Sequence, residues 1–399
     1  MSIIIRAAMP DLTAVKYDRP VKNGGEARTI FRSATTAFFL LSLFLICAAA
    51  QVSAQQYQQT NLVSDVPGLA PVTDPNLVNP WGLIASATSP WWVANNGTGT
   101  STLYNGAGQR QTLVVTVAGA PGDPDSSSPT GIVFNGGTGF QLVPGVPTSA
   151  ARFIFVTDDG TISGWNPSVD ATHSVLKVNN SASGAVYLGA TIAQVGGVNF
   201  LYVANFSNAS VDVFDTNYAQ VTLPAGAFTD PTLPEGYAPF NVQEIGGKVY
   251  VAYALQNEDG DEEEAGRKLG HVRVFDVNGM LLQTIEHGPW MNAPWGLALA
   301  PPTGFGKASG KLLVGMFGSG EIATFNATTG EFEGLLRQRR GRPIEIEGLW
   351  ALRFGNGANA GPTTTLFFTA GIDDETHGLF GTITPVPKRN DDGDDASDR

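Results

Sequence analysis

The chain of 399 residues contains a single cysteine and only four histidines. Cys47 lies in an apolar run near the N-terminus, so the part of the chain that we expect to remain after processing has no cysteine and no means of forming a disulfide. Neither the H-x-x-x-H nor the H-E-x-x-H spacing of zinc sites occurs among the histidines, which are His173, His271, His287 and His377. The sequence therefore gives no support for a disulfide framework or a zinc site.

Basic residues are also scarce, with 23 Lys and Arg against 36 Asp and Glu. The first 54 residues hold six of the basic and three of the acidic residues, which leaves a net charge of −16 on the remainder. Such a surface repels nucleic acid and anionic membranes. The sole basic cluster, "RQRRGR" at 337–342, is interpreted either as a contact for an anionic cell-wall polymer or as an exposed connection.

The N-terminal region, residues 1–54, has the features of an export signal. Arg28 and Arg32 precede the apolar run 36–50, which is followed by the small-x-small sequence Val52-Ser53-Ala54. A membrane anchor is the alternative, but the apolar run is shorter than the roughly 20 residues that a spanning helix needs. We therefore expect cleavage near Ala54, an exported chain without a transmembrane segment, and a disordered acidic tail at 387–399.

Glycine, at 48 residues, and proline, at 25, are abundant, and charged residues make up only 15% of the chain. This composition favours short strands and tight turns. Short apolar strands recur at steps of 49 to 58 residues, each with a small residue near its start, at Gly82, Gly131, Gly189, Asn241, Gly296 and Gly348. The period indicates a repeat architecture.

Each of these strands is followed by a second strand, a Gly/Asn/Asp turn and a third strand, and most units add a fourth. Six such units in residues 55–386 predict an all-β, six-bladed β-propeller of four-stranded antiparallel blades. The sixth unit ends after its third strand, at 378–386, and we expect residues 57–65 to supply the missing outer strand. This N-terminal strand would close the last blade.

Three segments, "PWGLALA" (294–300), "LYVANFSNASVDVFD" (201–215) and "HVRVFDVNG" (271–279), resemble the repeats of NHL-type six-bladed propellers. The segment 61–83 also resembles the start of an uncharacterised family of exported bacterial proteins, some of which carry a C-terminal Pro-Glu-Pro sorting signal. The resemblance spans 56–386 and implies the fold. It leaves the activity open, because propellers of this kind act as binding scaffolds, lactonases and lyases.

Turns that enter the inner strands, and turns between second and third strands, meet at one end of a propeller axis. By this rule the predicted axial face carries Asn79, Trp81, Asn95, Asn96, Asp158, Asp159, Asn205, Phe240, Trp295, Glu347, Asp373 and Asp374. Oxygen ligands from Glu347, Asp158 and Asp373, joined by asparagines, would suit Ca²⁺, the one cofactor that the pattern brings into consideration. The alternative is that these side chains cap turns.

Four aromatic residues beside the starts of inner strands are candidates for an aromatic platform that binds a sugar or an apolar ligand, or for packing between blades: Trp81, Trp295, Trp350 and Phe240. The insertion "NEDGDEEEAGRK" (257–268) does not reproduce a Ca²⁺-loop spacing, and we expect a solvated loop that overhangs the axial face as a lid.

These patterns predict a monomeric, non-catalytic scaffold that binds a small molecule, a glycan or a protein. A metal-dependent lactonase-like hydrolase or lyase is the alternative, and a structural matrix protein is a third. Neither nucleic acid nor membrane is an expected partner.

Overall fold

The computed structural model describes residues 56–122 and 127–386. The predicted signal peptide and the acidic tail at 387–399 lie outside the described residues. The described residues belong to one compact unit. No helix within the described ranges is both long and apolar enough to cross a membrane.

Twenty-five strands form six sheets in the described ranges, in the order that the repeats predict. The chain begins with two closing strands, β1 (Tyr57–Ser64) and β2 (Val72–Thr73). The first blade contains β3 (Pro80–Ile84), β4 (Trp91–Asn95), β5 (Thr100–Tyr104) and β6 (Arg110–Thr116). The second blade contains β7 (Pro129–Phe134), β8 (Phe153–Thr157), β9 (Thr161–Trp165) and β10 (Val175–Asn179). The third contains β11 (Tyr187–Val195), β12 (Val198–Asn205) and β13 (Ser210–Phe214).

The fourth blade carries an extra two-residue strand and contains β14 (Tyr237–Ile245), β15 (Lys248–Gln256), β16 (Glu263–Glu264), β17 (His271–Phe275) and β18 (Leu281–Thr284). The fifth contains β19 (Pro294–Leu299), β20 (Leu312–Met316), β21 (Ile322–Phe325) and β22 (Phe332–Leu335). The sixth contains β23 (Leu349–Phe354), β24 (Leu366–Ile372) and β25 (His377–Pro385). Four short 3₁₀ helices lie in connections, at Asn96–Thr98, Pro147–Ser149, Ser181–Ser183 and Gly306–Ala308.

The all-β, six-bladed fold is confirmed, and so is the closure of the ring. Strand β1 pairs antiparallel with β25, from Tyr57 opposite Pro385 to Ser64 opposite Leu379. The Tyr57 hydroxyl also donates a 3.0 Å hydrogen bond to the Phe305 carbonyl oxygen in the fifth blade. Both ends of the described chain are therefore held in the last sheet, whose outer edge is covered as predicted.

The third blade is the least regular. In the residues that the structure describes it has three strands, and only an isolated bridge between Phe214 and Gln220 stands where the other blades have an outer strand. This segment, "TNYAQVTLPAG", combines a turn with a proline, and proline donates no ladder hydrogen bond.

The inner strands share one irregularity that fixes their alignment around the axis. Each shows a shift of register against its partner near its start, as between Pro80 and Leu83 in β3. By this register the residue equivalent to Gly82 in the sixth blade is Ala351, since Leu349 and Leu352 flank the corresponding shift. Gly348, which the sequence repeat suggested for this position, instead precedes β23 in a left-handed conformation with φ of 59°.

Glycine at position 82 allows neighbouring inner strands to approach closely. A Cβ added there would lie 2.6 Å from the Thr130 carbonyl oxygen of the second blade. The expected crowding around the axis is thus present.

Candidate functional site at the axial mouth

One end of the axis carries a hydrogen-bonded chain of four polar side chains, here called the mouth network. Asn79 precedes β3 and donates from Nδ2 to Glu375 Oε2 at 2.6 Å and to Asn96 Oδ1 at 3.4 Å. Asn96 donates in turn to Asp158 Oδ2 at 3.0 Å. The network therefore joins the sixth, first and second blades at the end of the ring where the sequence rule placed the axial face.

An aromatic cluster, here called the axial plug, crosses the axis beside this network. Its rings come from the first, fourth, fifth and sixth blades: Trp81, Phe240, Trp295, Phe317 and Trp350. Trp81 stacks on Trp350 with ring centroids 3.4 Å apart, and it also reaches Phe240 at 6.4 Å. The first and fourth blades are opposite one another in a ring of six, so this contact spans the centre.

The rings of the axial plug are tightly packed. Trp81, Trp295 and Phe240 retain only 7%, 5% and 0% of their accessible surface. These values favour packing, the second of the two interpretations given to these side chains. The plug also supports the mouth network, because Trp350 Nε1 donates to Asn79 Oδ1 at 3.0 Å.

The insertion 257–268 lies over the mouth. It is a hairpin extension of the fourth blade, in which Glu263 and Glu264 of β16 pair with Gln256 and Leu255 of β15. Gln256 Nε2 donates to the Phe206 carbonyl oxygen of the third blade at 2.8 Å, and Gly266 N donates to Asn292 Oδ1 before the fifth blade at 2.6 Å. These contacts agree with the lid position predicted for the insertion. The expected solvated loop is replaced in part by a strand pairing and by hydrogen bonds to neighbouring blades.

Three carboxyl groups of the mouth have raised pKa values. Burial raises the pKa of Glu263 to about 8, and the nearby Glu375 and Glu262 carboxylates add to the rise. Burial likewise raises the pKa of Asp158 to about 6, against the lowering effect of the hydrogen bond from Asn96. The pKa of Glu375 is raised chiefly by burial, while the Asn79 hydrogen bond opposes the rise. Groups with perturbed pKa values concentrate at functional sites.

The backbone that presents Glu375 is strained. Asp373, Asp374 and Glu375 have φ angles of 55°, 50° and 63°, so three consecutive non-glycine residues adopt the left-handed region. Asn79 is also left-handed, with φ of 43°. Non-glycine residues in this region cost about 1–3 kcal/mol each and cluster at functional sites.

The residues proposed as metal ligands do not converge. Glu347 is exposed, and its Oε1 accepts a hydrogen bond of 3.1 Å from the Asp373 backbone nitrogen, as a turn cap does. Asp158 belongs to the mouth network. Within residues 56–122 and 127–386, no group of three or more His, Cys, Asp or Glu residues is arranged to hold a metal ion. Ca²⁺ binding stays a prediction.

Asn95 and Asn205 serve their own blades. Asn95 Nδ2 donates to the Thr100 and Thr102 hydroxyls at 3.2 and 3.0 Å, and Asn205 Nδ2 donates to Asp212 Oδ2 at 2.9 Å. Both side chains are buried. They therefore stabilise the turns between second and third strands.

The sequence reasoning missed Glu375 and Glu263 as members of the site. Glu375 follows the two aspartates assigned to the axial face, so the signal for it was the length of the β24–β25 turn. Glu263 carried no such signal, because the hairpin register decides which of the six acidic residues at 258–259 and 261–264 meets the sixth blade.

Comparison with known proteins identifies relatives that are named as uncharacterized. No protein-family model matches the chain. It is 32% identical over 326 residues to uncharacterized protein R648 of Acanthamoeba polyphaga mimivirus, an alignment that covers 81% of this chain and 78% of the relative. This chain belongs to the same family. A second uncharacterized protein of that virus, L690, is 31% identical over 332 residues, with coverage of 81% and 84%. Membership of an exported bacterial family stays a prediction.

Among solved structures, the chain is similar to virginiamycin B lyase from Staphylococcus aureus, with a TM-score of 0.44 and 10% identity over 83% of this chain and 100% of the lyase. It is also similar to the soluble aldose sugar dehydrogenase of Escherichia coli, with a TM-score of 0.45, 12% identity and the same coverage. The assignment of six blades rests on the sheet topology itself.

Proposed function

We propose that the protein is an exported, non-catalytic binding scaffold whose ligand site is the axial mouth beneath the insertion 257–268. The observation that carries this proposal is the mouth network, in which polar side chains of three blades are joined and are supported from below by the axial plug. The hydrogen bonds of the network hold these side chains in place, which reduces the entropy lost on binding.

The chemistry of the mouth favours a small ligand rich in hydrogen-bond donors, namely a polyol or an amine. Carboxyl oxygens of Glu375 and Asp158 face amide groups of asparagines, and burial together with neighbouring acids disfavours the charged carboxylates. A donor ligand would relieve that cost, whereas an anion would increase it. The net charge of −16 beyond residue 54 also disfavours anions.

Thermal melts of the full chain test the proposal. The probes are spermidine, methyl glucoside and citrate, with Asn79→Ala as the site variant and Asn278→Ala, an exposed asparagine in another turn, as control. We expect spermidine or methyl glucoside to raise the melting temperature of the wild type and of Asn278→Ala, and not of Asn79→Ala, because a ligand bound only to the native state stabilises it. Equal responses in both variants, or a response to citrate alone, would contradict the proposal.

One observation favours the alternative function, a metal-dependent hydrolase or lyase. A carboxyl with a pKa of about 6, as at Asp158, is suited to general acid–base catalysis near neutral pH. This alternative predicts that Ca²⁺ raises the melting temperature relative to EDTA, and that Glu347→Ala or Asp373→Ala removes the rise. The scaffold proposal predicts equal melting temperatures with EDTA and Ca²⁺.

Export is proposed from the N-terminal pattern of residues 28–54. Sequencing the N-terminus of the protein recovered from its expressing cells tests it. A first residue at Gln55 supports cleavage near Ala54, and an intact N-terminus contradicts it.

A further inference from the structure

A second feature on the axis lies directly beneath the plug, on the side away from the mouth network. A cavity of about 20 Å³ is lined by all six inner strands, through Gly82, Gly131, Ala190, Asn241, Trp295 and Arg353 among others. Because every blade contributes to it, the cavity lies on the axis. We infer that this axial cavity binds a single monatomic anion, a halide such as chloride, through Arg353 and the indole of Trp295.

Arg353 brings an unneutralised positive charge to the cavity. Its Nε donates to the Leu83 carbonyl oxygen at 3.3 Å. None of the ion pairs within 4.0 Å in the described ranges includes this guanidinium. Arginine carries five N–H donors, and the half-buried Arg353 guanidinium has no carboxylate within ion-pairing distance in the described ranges. An anion in the cavity would supply the counter-charge.

The pKa of Arg353 agrees with this description. Burial lowers it to about 10, and the more distant Glu244 carboxylate opposes the fall. An anion in the cavity would supply the interaction that Glu244 supplies only weakly.

An independent observation comes from Trp295. Its indole Nε1 is buried and has no hydrogen-bond partner, and the side chain is only 5% exposed. Buried donors in native structures are paired as a rule. Trp295 and Arg353 line the same cavity. We place one acceptor there, within reach of both donors.

The two amide side chains of the cavity add further donors. Asn241 Nδ2 donates to the Trp295 carbonyl oxygen at 2.7 Å, and Gln243 Nε2 donates to the Glu244 carbonyl oxygen at 3.0 Å. Each amide nitrogen carries a second hydrogen. Four residues of the lining, from three blades, thus carry side-chain N–H groups.

The size of the cavity decides the class of anion. A cavity needs roughly 10–15 Å³ to hold one water-sized particle. About 20 Å³ therefore accepts one monatomic ion and is too small for phosphate, sulfate or gluconate. A water molecule would fit as well, but it would leave the guanidinium charge unneutralised.

Melting of the full chain in sodium chloride and in sodium gluconate at equal ionic strength tests the inference. The site variant is Arg353→Gln, and the control is Arg152→Gln, which removes an exposed arginine. We expect chloride to raise the melting temperature of the wild type and of Arg152→Gln saturably, by about 2 °C, and to leave Arg353→Gln unchanged. Equal chloride responses in all three proteins would overturn the inference.

Crystals of the unmodified protein soaked in sodium bromide give a test that does not depend on the folding of a variant. An anomalous peak within about 3.5 Å of the Arg353 guanidinium and of Trp295 Nε1 supports the site. A cavity that holds only water, with bromide confined to the surface, overturns it.

Discussion

Asn79 and Glu375 are 296 residues apart in the chain, and a hydrogen bond of 2.6 Å joins Asn79 Nδ2 to Glu375 Oε2. Both residues have left-handed backbones. The bond crosses the seam between the first and last blades, so the mouth is assembled at the junction that the pairing of β1 with β25 closes. Acidic residues of the insertion lie close enough to Glu375 to contribute to its raised pKa, so we expect the stability of the chain to depend on pH.

Glu263→Gln should flatten the pH dependence of stability. The folded chain keeps the Glu263 carboxyl protonated up to about pH 8, whereas the ordinary value is 4.5. The free energy of unfolding of the wild type therefore falls as the pH rises from 4.5 to 8. Because the side chain is only half-buried, we expect a gain of about 1–3 kcal/mol for the variant at pH 8.5 and little change at pH 4.

Urea unfolding across this pH range is the measurement. Glu264→Gln, an exposed neighbour in the same strand, is the matched control and should keep the slope of the wild type. If Glu263→Gln also keeps that slope, the carboxyl is not held in the mouth as described.

Asp65→Asn should loosen the closing strand below about pH 6.5. His377 Nδ1 lies 2.6 Å from Asp65 Oδ2, and the pKa of His377 is raised by this hydrogen bond and by the Asp65 charge. A raised histidine pKa contributes stability that is present below its ordinary value of 6.5 and is lost as the pH rises through the folded value.

Hydrogen exchange of the peptide 57–64 checks this expectation. Protection in the wild type should decline above about pH 6.5, the ordinary histidine value. Asp65→Asn should be less protected at pH 6 and should show no further decline. A decline of equal size in the variant would assign the pH effect to another group.

Asp230→Asn should be strongly destabilising. Arg273 Nε and Asp230 Oδ2 form an ion pair of 2.5 Å, with side chains only 4% and 1% exposed. Removing one charge leaves the other buried and uncompensated, at a cost of about 3–5 kcal/mol. The double variant Asp230→Asn/Arg273→Met should recover a large part of that loss in urea unfolding, and a strictly additive double variant would contradict the explanation.

The sequence predicted the fold more completely than the site, and the reason is physical. Each strand was visible locally, through alternating apolar residues and Gly/Asn/Asp turns, and closure by 57–65 followed from the incomplete sixth unit. The mouth depends on contacts between distant segments, such as Glu375 with Asn79 and the insertion with Asn292. The sequence also does not distinguish Asn95, which caps its own blade, from Asn96, which belongs to the mouth network, because both are asparagines of the same turn.

Gly82→Ala should destabilise the ring at the axis. The added Cβ would lie 2.6 Å from the Thr130 carbonyl oxygen and 2.9 Å from the Ile132 backbone nitrogen, so two inner strands would have to separate. Overpacking of this kind costs about 1–3 kcal/mol. Gly136→Ala is the matched control, because its nearest contact would be the Phe134 ring at an ordinary 3.4 Å. Thermal melts should show a lower midpoint for Gly82→Ala and an unchanged one for Gly136→Ala, since only the first position lies where blades meet.

Equal midpoints for the two variants would mean that the inner strands can separate at no cost, and the close packing described around the axis would then be wrong.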